Sequence, residues 1–373
     1  MAKITKRLIN LDAAAGSDNP SSIHSAGVRT AQTLSEARQT VARVLNAHSD
    51  EIIFTSGGTE ANNLAIFGLA RHRVSNKMCD TRCLTFHIIT TKIEHASILE
   101  SCRQLEHEGF SVTYLLVKSD GLIDLKELAQ ALRPETILVS IGYANNEIGV
   151  IQPLREIAKI IRRRCVFHTD ACQAPPFLDL NAARLGVDLM TINSSKVGGP
   201  KGSGCLYARR GINLQPILYG GGQERGRRSG TENVSAAANF AQALEKCTRS
   251  REKESARLAK LRDYFIKKLL ALPGTTLNGS ATNRLPNNVN VSFAEADSEF
   301  MVLNLDARGV LAASGSACSA QEKPASHVIT ALGHDATYAQ TAVRFTLSRE
   351  TKKADLDYVL KILPEILKRA RIA

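Results

Sequence analysis

The sequence predicts an α/β protein: a large domain built on a mostly parallel sheet with helices on both faces, followed by a smaller α+β unit. Three observations lead there. From about residue 26 to 247, helix-like and strand-like segments alternate, and such alternation implies a parallel-rich sheet with ligand sites at the carboxyl ends of its strands. Beyond a long charged stretch at 239–272 the order changes to a separate strand, helix, strand and closing helix. The chain is also 373 residues long, more than one hydrophobic core usually serves.

The elements follow in order. Residues 35–45 place Ala37, Val41 and Leu45 at helical spacing and predict an amphipathic helix. The apolar run at 51–55 predicts a strand, and 60–71 a helix. Strands are then expected at 87–91, 111–116, 137–141, 165–169 and 189–193, with helices at 96–108, 125–132 and 154–163. The stretch 239–272, rich in Glu, Lys and Arg, reads as one long helix and the natural hinge. Then come a strand at 287–293, a helix at 298–308, a strand at 341–347 and a helix at 353–371. The expected division is a large domain at 16–246 and a small one from 1–15 and 247–373, the latter carrying Cys318.

Composition narrows the function. No apolar run reaches the roughly 18 residues of a membrane span, and the basic start Met1-Ala-Lys-Ile-Thr-Lys-Arg7 leads into no signal-peptide core, so a cytoplasmic protein without membrane association is expected. The eight cysteines are scattered; Cys79 and Cys83 come nearest to a metal spacing, but no second pair completes a tetrahedron, and no resident metal is expected. A net charge of +12 suits an anionic ligand or an acidic partner. With 5% aromatics, no Trp and no aromatic interleaving in the basic runs, a base-stacking surface is disfavoured.

Five segments carry chemistry. Thr55-Ser-Gly-Gly58-Thr59-Glu60 turns from strand directly into helix, where converging amides and the helix dipole favour a phosphate. His95 stands at a second strand-to-helix junction, where an imidazole can stack on a planar ring, and Asn146 closes the next strand. Asp170 ends an apolar strand, where a carboxylate asks for a cation such as a protonated pyridine nitrogen, and Gln173 follows within reach of the same ring's oxygen. Lys196 sits where an apolar strand breaks into glycines, and desolvation there would lower its pKa and free the amine to form a Schiff base with an aldehyde. Taken singly, each has a plain alternative: a capped glycine turn, a structural histidine, an Asp capping its own turn, a surface lysine. Together they describe a phosphate, a ring, a ring-nitrogen partner and an aldehyde partner, which is a pyridoxal phosphate site.

These segments, with Gly220-Gly-Gly-Gln-Glu-Arg-Gly-Arg-Arg-Ser-Gly-Thr231 and Ser314-Gly-Ser-Ala-Cys318, run in the order found in the cysteine desulfurases of the NifS/IscS type, which the chain resembles over nearly its whole length. The resemblance implies fold type I of the pyridoxal phosphate enzymes, with a seven-stranded sheet, a homodimer, and conversion of L-cysteine to L-alanine with the sulfur left as a persulfide. It makes Lys196 the Schiff-base lysine, His95 the ring-stacking acid/base, Asp170 the pyridine partner and Gln173 the partner of the ring oxygen. Gly58, Thr59, Asn193 and Ser195 fall to the phosphate, joined by Thr231 from the neighbouring subunit. Asn146 reaches ring and substrate, Arg344 grips the substrate carboxylate, and Cys318 is the nucleophile, able also to contact a transferred iron–sulfur cluster. The implied sulfur acceptors are an iron–sulfur scaffold or a tRNA-thiolation enzyme. A related lyase or aminotransferase, such as a selenocysteine lyase, and a weakly active sulfur-relay protein are the competing readings.

Two departures stand out. The family usually has His immediately before the Schiff-base lysine and Ser two residues earlier, where this chain has Ser195 and Asn193; losing a partly cationic donor weakens cofactor retention by about 1–3 kcal/mol. The segment 10–16, which resembles the family's opening strand, also runs almost directly into Asn19-Pro-Ser-Ser-Ile-His24, without the helix and turn usual between them.

Overall fold

A computed structural model describes residues 9–16, 19–75, 85–315 and 325–370. Cys318, Cys79 and Cys83 lie outside the described residues. The chain forms two sheets. The larger contains β1 (Ile52–Thr55), β2 (His87–Thr91), β3 (Ser111–Leu115), β4 (Thr136–Ser140), β5 (Val166–Asp170), β6 (Leu189–Asn193) and β7 (Gly204–Ala208), in the order β1-β7-β6-β5-β4-β2-β3. The smaller contains β8 (Thr275–Leu277), β9 (Asn288–Phe293), β10 (Ala313–Ser314) and β11 (Ala342–Thr346), antiparallel in the order β10-β11-β9-β8. The helices are α1 (Ser25–Leu45), α2 (Gly58–Ser75), α3 (Ala96–His107), α4 (Leu125–Ala131), α5 (Leu154–Ile161), α6 (Ala182–Leu185), α7 (Val234–Arg249), α8 (Arg251–Leu269), α9 (Ser298–Asp306), α10 (His327–Ala331), α11 (Ala336–Ala339) and α12 (Lys353–Arg369).

Every neighbouring pair in the larger sheet is parallel except the two made by β7, which runs antiparallel to both β1 and β6. Strands covered on both faces need apolar residues at consecutive positions, because alternate side chains point to opposite sides. Accordingly Ile88, Leu138, Val166, Leu189 and Leu206 enter one core, while Ile89, Val139, Phe167, Met190 and Cys205 enter the other. A third core, around Phe265, Phe293, Val343, Phe345, Leu356 and Leu363, lies between the smaller sheet and helices α8, α9 and α12.

The structure corrects three expectations. The charged stretch is two helices, α7 and α8, divided at Ser250; α7 packs on α1, whereas α8 contributes to the third core. The stretch 239–272 contains no Gly or Pro to mark the break. Strand β7 is missing from the sequence pattern because Gly204-Cys-Leu-Tyr-Ala208 is short and preceded by a glycine turn. Helix α1 begins ten residues earlier than its apolar spacing suggests, at an N-cap where the His24 side chain accepts the Gly27 amide. No helix among the described residues is long and apolar enough to cross a membrane.

Candidate active site

The carboxyl ends of β1, β2, β4, β5 and β6 open on one side of the large sheet, where a cavity of about 1010 Å³ extends to the smaller sheet. Gly58, Thr59, His95, Asn146, Asp170, Gln173, Asn193, Ser195, Lys196 and Arg344 all line it. Thr231 does not; it is exposed on the surface of its own chain.

The phosphate-cup segment begins α2, an 18-residue helix whose first amides have no intrahelical carbonyls to bond. Crowding explains its glycine: a Cβ at Gly58 would lie 2.8 Å from Cys172 Sγ. The β7 backbone also presses on the cup, since a Cβ at Gly204 would stand 2.7 Å from the Ile192 carbonyl oxygen and 2.9 Å from Gly57 Cα. Glu60 fastens the turn by accepting the Ser56 amide at 2.8 Å and Arg228 Nε at 2.9 Å. Burial opposes its charge, but the bonds from Arg228 and Ser56 prevail and hold its carboxyl below the usual range.

Behind the cup, the loop 220–231 is tied to β1 by a buried ion pair. Arg38 donates to Glu224 through both guanidinium ends at 2.6 and 2.7 Å, and Glu224 also accepts the Phe54 amide at 3.1 Å. Glu224 and Arg225 both hold left-handed backbone, at φ 46° and 59°.

Asp170 ends β5 with both oxygens engaged: Oδ1 accepts the Cys172 amide at 2.9 Å and Oδ2 the Asn62 side-chain amide at 2.7 Å. Beneath it His168 bridges Ser140 and Thr191 at 2.9 and 3.1 Å, and burial pushes its pKa down to about 4 against the opposing charge of Asp170. His95 caps α3, with Nδ1 2.8 Å from Ser97 Oγ and 3.1 Å from the Ser97 amide. Asn62, buried, donates to Ser97 Oγ at 2.9 Å and so connects the two strand ends.

Glu94, beside His95, is buried and accepts the Gly142 amide at 3.0 and 3.1 Å and the Thr91 hydroxyl at 2.7 Å. Burial outweighs these donors and, with the charge of Asp170, pushes its pKa up to about 7. Asn145 organises the next loop, its side chain donating to the Ile93 carbonyl at 2.8 Å and accepting the amides of Glu147 and Ile148 at 2.8 and 2.9 Å. Arg344 crosses from β11 to donate to the Asn146 carbonyl at 3.1 Å, joining the smaller sheet to this wall.

Lys196 closes a short 3₁₀ turn, Ser194–Lys196, whose first amides Asn193 caps through Ser195 at 3.1 Å. Its side chain is exposed to the cavity. The sequence motifs contain Asn62, Glu94, Ser97, Asn145 and Glu147 but assign none of them a role. Their buried polar character, inside helices or at strand ends, was the available signal.

The donor set fits pyridoxal phosphate: helix amides and hydroxyls for an anion, a carboxylate in a polar wall for a ring nitrogen, an amine for an aldehyde, and a cradle that a Cβ would fill.

Comparison with known proteins identifies the family. The family model for aminotransferase class-V matches residues 2–359. Cysteine desulfurase IscS of Dictyoglomus turgidum is 45% identical over 355 residues, covering 95% of this chain and 88% of the relative. The mitochondrial cysteine desulfurase of Saccharomyces cerevisiae is 43% identical over 357 residues, covering 95% and 70%. Among solved structures, a NifS-like protein superposes with a TM-score of 0.86 at 34% identity, covering 94% of this chain and 92% of its own. SspA in complex with cysteine gives 0.76 at 34% identity, covering 90% and 93%.

Proposed function

The chain belongs to the aminotransferase class-V family and is a cysteine desulfurase, and on that premise we propose that it holds pyridoxal phosphate in the cavity and moves the sulfur of L-cysteine onto Cys318, leaving L-alanine. The observation that carries this reading is the convergence of Gly58, His95, Asn146, Asp170, Lys196 and Arg344, from six separate segments, on one cavity. When bound, the cofactor supplies an aldehyde and an electron sink that lets the carbon–sulfur bond break.

The chain's own residues do the rest. The α2 amides at Gly58 and Thr59, with Asn193 and Ser195, hold the phosphate, and Thr231 of a second copy adds a donor in a homodimer. Lys196 provides the amine that meets the aldehyde. Asp170, held at both oxygens, would offer the ring nitrogen a fixed countercharge, and Gln173 would donate to the ring oxygen. His95 would cover the ring and exchange protons through its imidazole. Arg344 binds the substrate carboxylate with its planar fork, assisted by Asn146. The Cys318 thiolate would bond to the substrate sulfur as the bond from that sulfur to carbon breaks, the bonding pair staying with carbon, which takes up a proton to give alanine; the outer sulfur of the resulting persulfide would then pass to an acceptor protein serving iron–sulfur assembly or tRNA thiolation. The net charge of +12 supports an acidic acceptor.

Alanine formation from L-cysteine under reducing conditions, with protein reconstituted with pyridoxal phosphate, tests this. Lys196→Ala and Cys318→Ala are each expected to abolish it. Turnover that survives Cys318→Ala would favour the lyase reading, and turnover that survives Lys196→Ala would end the assignment.

A further inference from the structure

Four side chains form one line of hydrogen bonds in the cavity wall. It runs from Asp170 Oδ2 to Asn62 Nδ2 (2.7 Å), on to Ser97 Oγ (2.9 Å), and ends at His95 Nδ1 (2.8 Å). The direction of each proton follows from the fixed end. A carboxylate only accepts, so Asn62 must turn its NH₂ toward Asp170. That NH₂ has a second hydrogen, which goes to Ser97 Oγ. With its oxygen accepting there, the Ser97 hydroxyl gives its single proton to His95 Nδ1, and the Ser97 backbone amide donates to the same nitrogen at 3.1 Å. Nδ1 therefore carries the lone pair, and the proton of the neutral ring sits on Nε2.

One cost supports this order. Asn62 Oδ1 is buried without a hydrogen-bond partner among the described residues. Turning the amide over would set that oxygen against Asp170 Oδ2, two acceptors face to face, so the orphan is the lesser penalty.

We propose that Asn62 and Ser97 are positioning residues that hold His95 as its Nε2–H tautomer, with the Asp170 carboxylate as the anchor that sets the direction. The proposal rests on the reading of His95 as the ring-stacking acid/base group. On that reading, neutral His95 offers a proton rather than a lone pair from Nε2, so its first task is donation. One carboxylate then serves both the ring nitrogen and the protonation pattern of the group stacked on the ring.

Nitrogen-15 spectra of the holoenzyme labelled at histidine, with His95 assigned by difference against His95→Gln, read both ring nitrogens without turnover. Wild type is expected to show a pyridine-type Nδ1 and a protonated Nε2. Ser97→Ala is expected to move the tautomer ratio toward Nδ1–H by about tenfold, the worth of one hydrogen bond, and to slow alanine formation similarly. Ser97→Thr, which keeps the hydroxyl, is expected to stay within about twofold of wild type in both readouts. Protonated Nδ1 in wild type, or an unchanged spectrum in Ser97→Ala, overturns the proposal. If Ser97→Ala fails to fold, the wild-type and Ser97→Thr spectra decide it. The expected spectrum in a holoenzyme that makes no alanine would refute the desulfurase reading while upholding the tautomer.

Discussion

Replacing Glu224 by Gln removes one charge from a pair that is almost wholly out of water, the side chains of Arg38 and Glu224 being 10% and 1% exposed. The variant keeps the shape of the side chain but leaves the guanidinium facing a neutral amide, and breaking a buried pair from one side costs about 3–5 kcal/mol. Arg38 keeps its bond to the Ile52 carbonyl at 2.7 Å and its place over the Phe54 ring, 4.9 Å from the centroid, but only one end of the glutamine still accepts where both carboxylate oxygens did. The Phe54 amide loses its charged acceptor as well, a penalty already within that range. Urea unfolding followed by circular dichroism reads the loss; with a slope of about 3 kcal/mol per molar, the midpoint falls by roughly 1–1.7 M. Arg38→Met should cost a similar amount. The double variant should fall short of the sum by up to about 3 kcal/mol, because the second change removes the charge that the first left stranded. A loss under about 1 kcal/mol for Glu224→Gln, together with additive behaviour, would refute the claim that this pair stitches loop 220–231 to β1.

Further outcomes follow from the site. Glu94, held at about 7 against an ordinary 4.5, gives a contribution that is complete below pH 4.5 and lost as pH rises through about 7, worth up to about 3 kcal/mol. Glu94→Gln should therefore gain stability relative to wild type between pH 5 and pH 8 in matched denaturant titrations, and a constant difference would contradict this. His168, lowered to about 4 from 6.5, works in the opposite sense, so wild type should lose stability as pH falls from 6.5 toward 4, and His168→Gln should flatten that limb. Gly58→Ala drives a methyl to within 2.8 Å of Cys172 Sγ and should weaken pyridoxal phosphate binding, read by absorbance titration, by about tenfold or more; adding Cys172→Ala should restore part of it. Arg344→Lys keeps the charge but loses the fork, and should raise KM for L-cysteine by about 10–100-fold with a smaller change in kcat.

Much of this was written locally in the chain. The buried strands declare themselves because both faces are covered, so Ile88-Ile89 and Leu138-Val139 read as unbroken apolar runs. The chemical residues at strand ends are legible only as a set, because an Asp, His or Lys in such a place has a plain structural role when taken alone. The supporting residues are not. Asn62 lies within α2 and meets Ser97 and Asp170 across 35 and 108 positions, and Glu224 meets Arg38 across 186. Such partners are fixed by the order of strands, which no local pattern encodes. Strand β7 illustrates the same limit: its antiparallel place between β1 and β6 stabilises a run too short to declare itself.

The pairing of β10 with β11 sets Ala313 opposite Arg344, and the chain continues from β10 toward Cys318. The arginine assigned to the substrate and the approach to the accepting sulfur thus belong to one small sheet, while the groups assigned to the cofactor belong to the other. Holding the cofactor and receiving the sulfur are in this sense separately heritable. Exchanging residues 250–370 between two such enzymes would carry Arg344 and Cys318 together, while the recipient scaffold kept its own cofactor-binding groups.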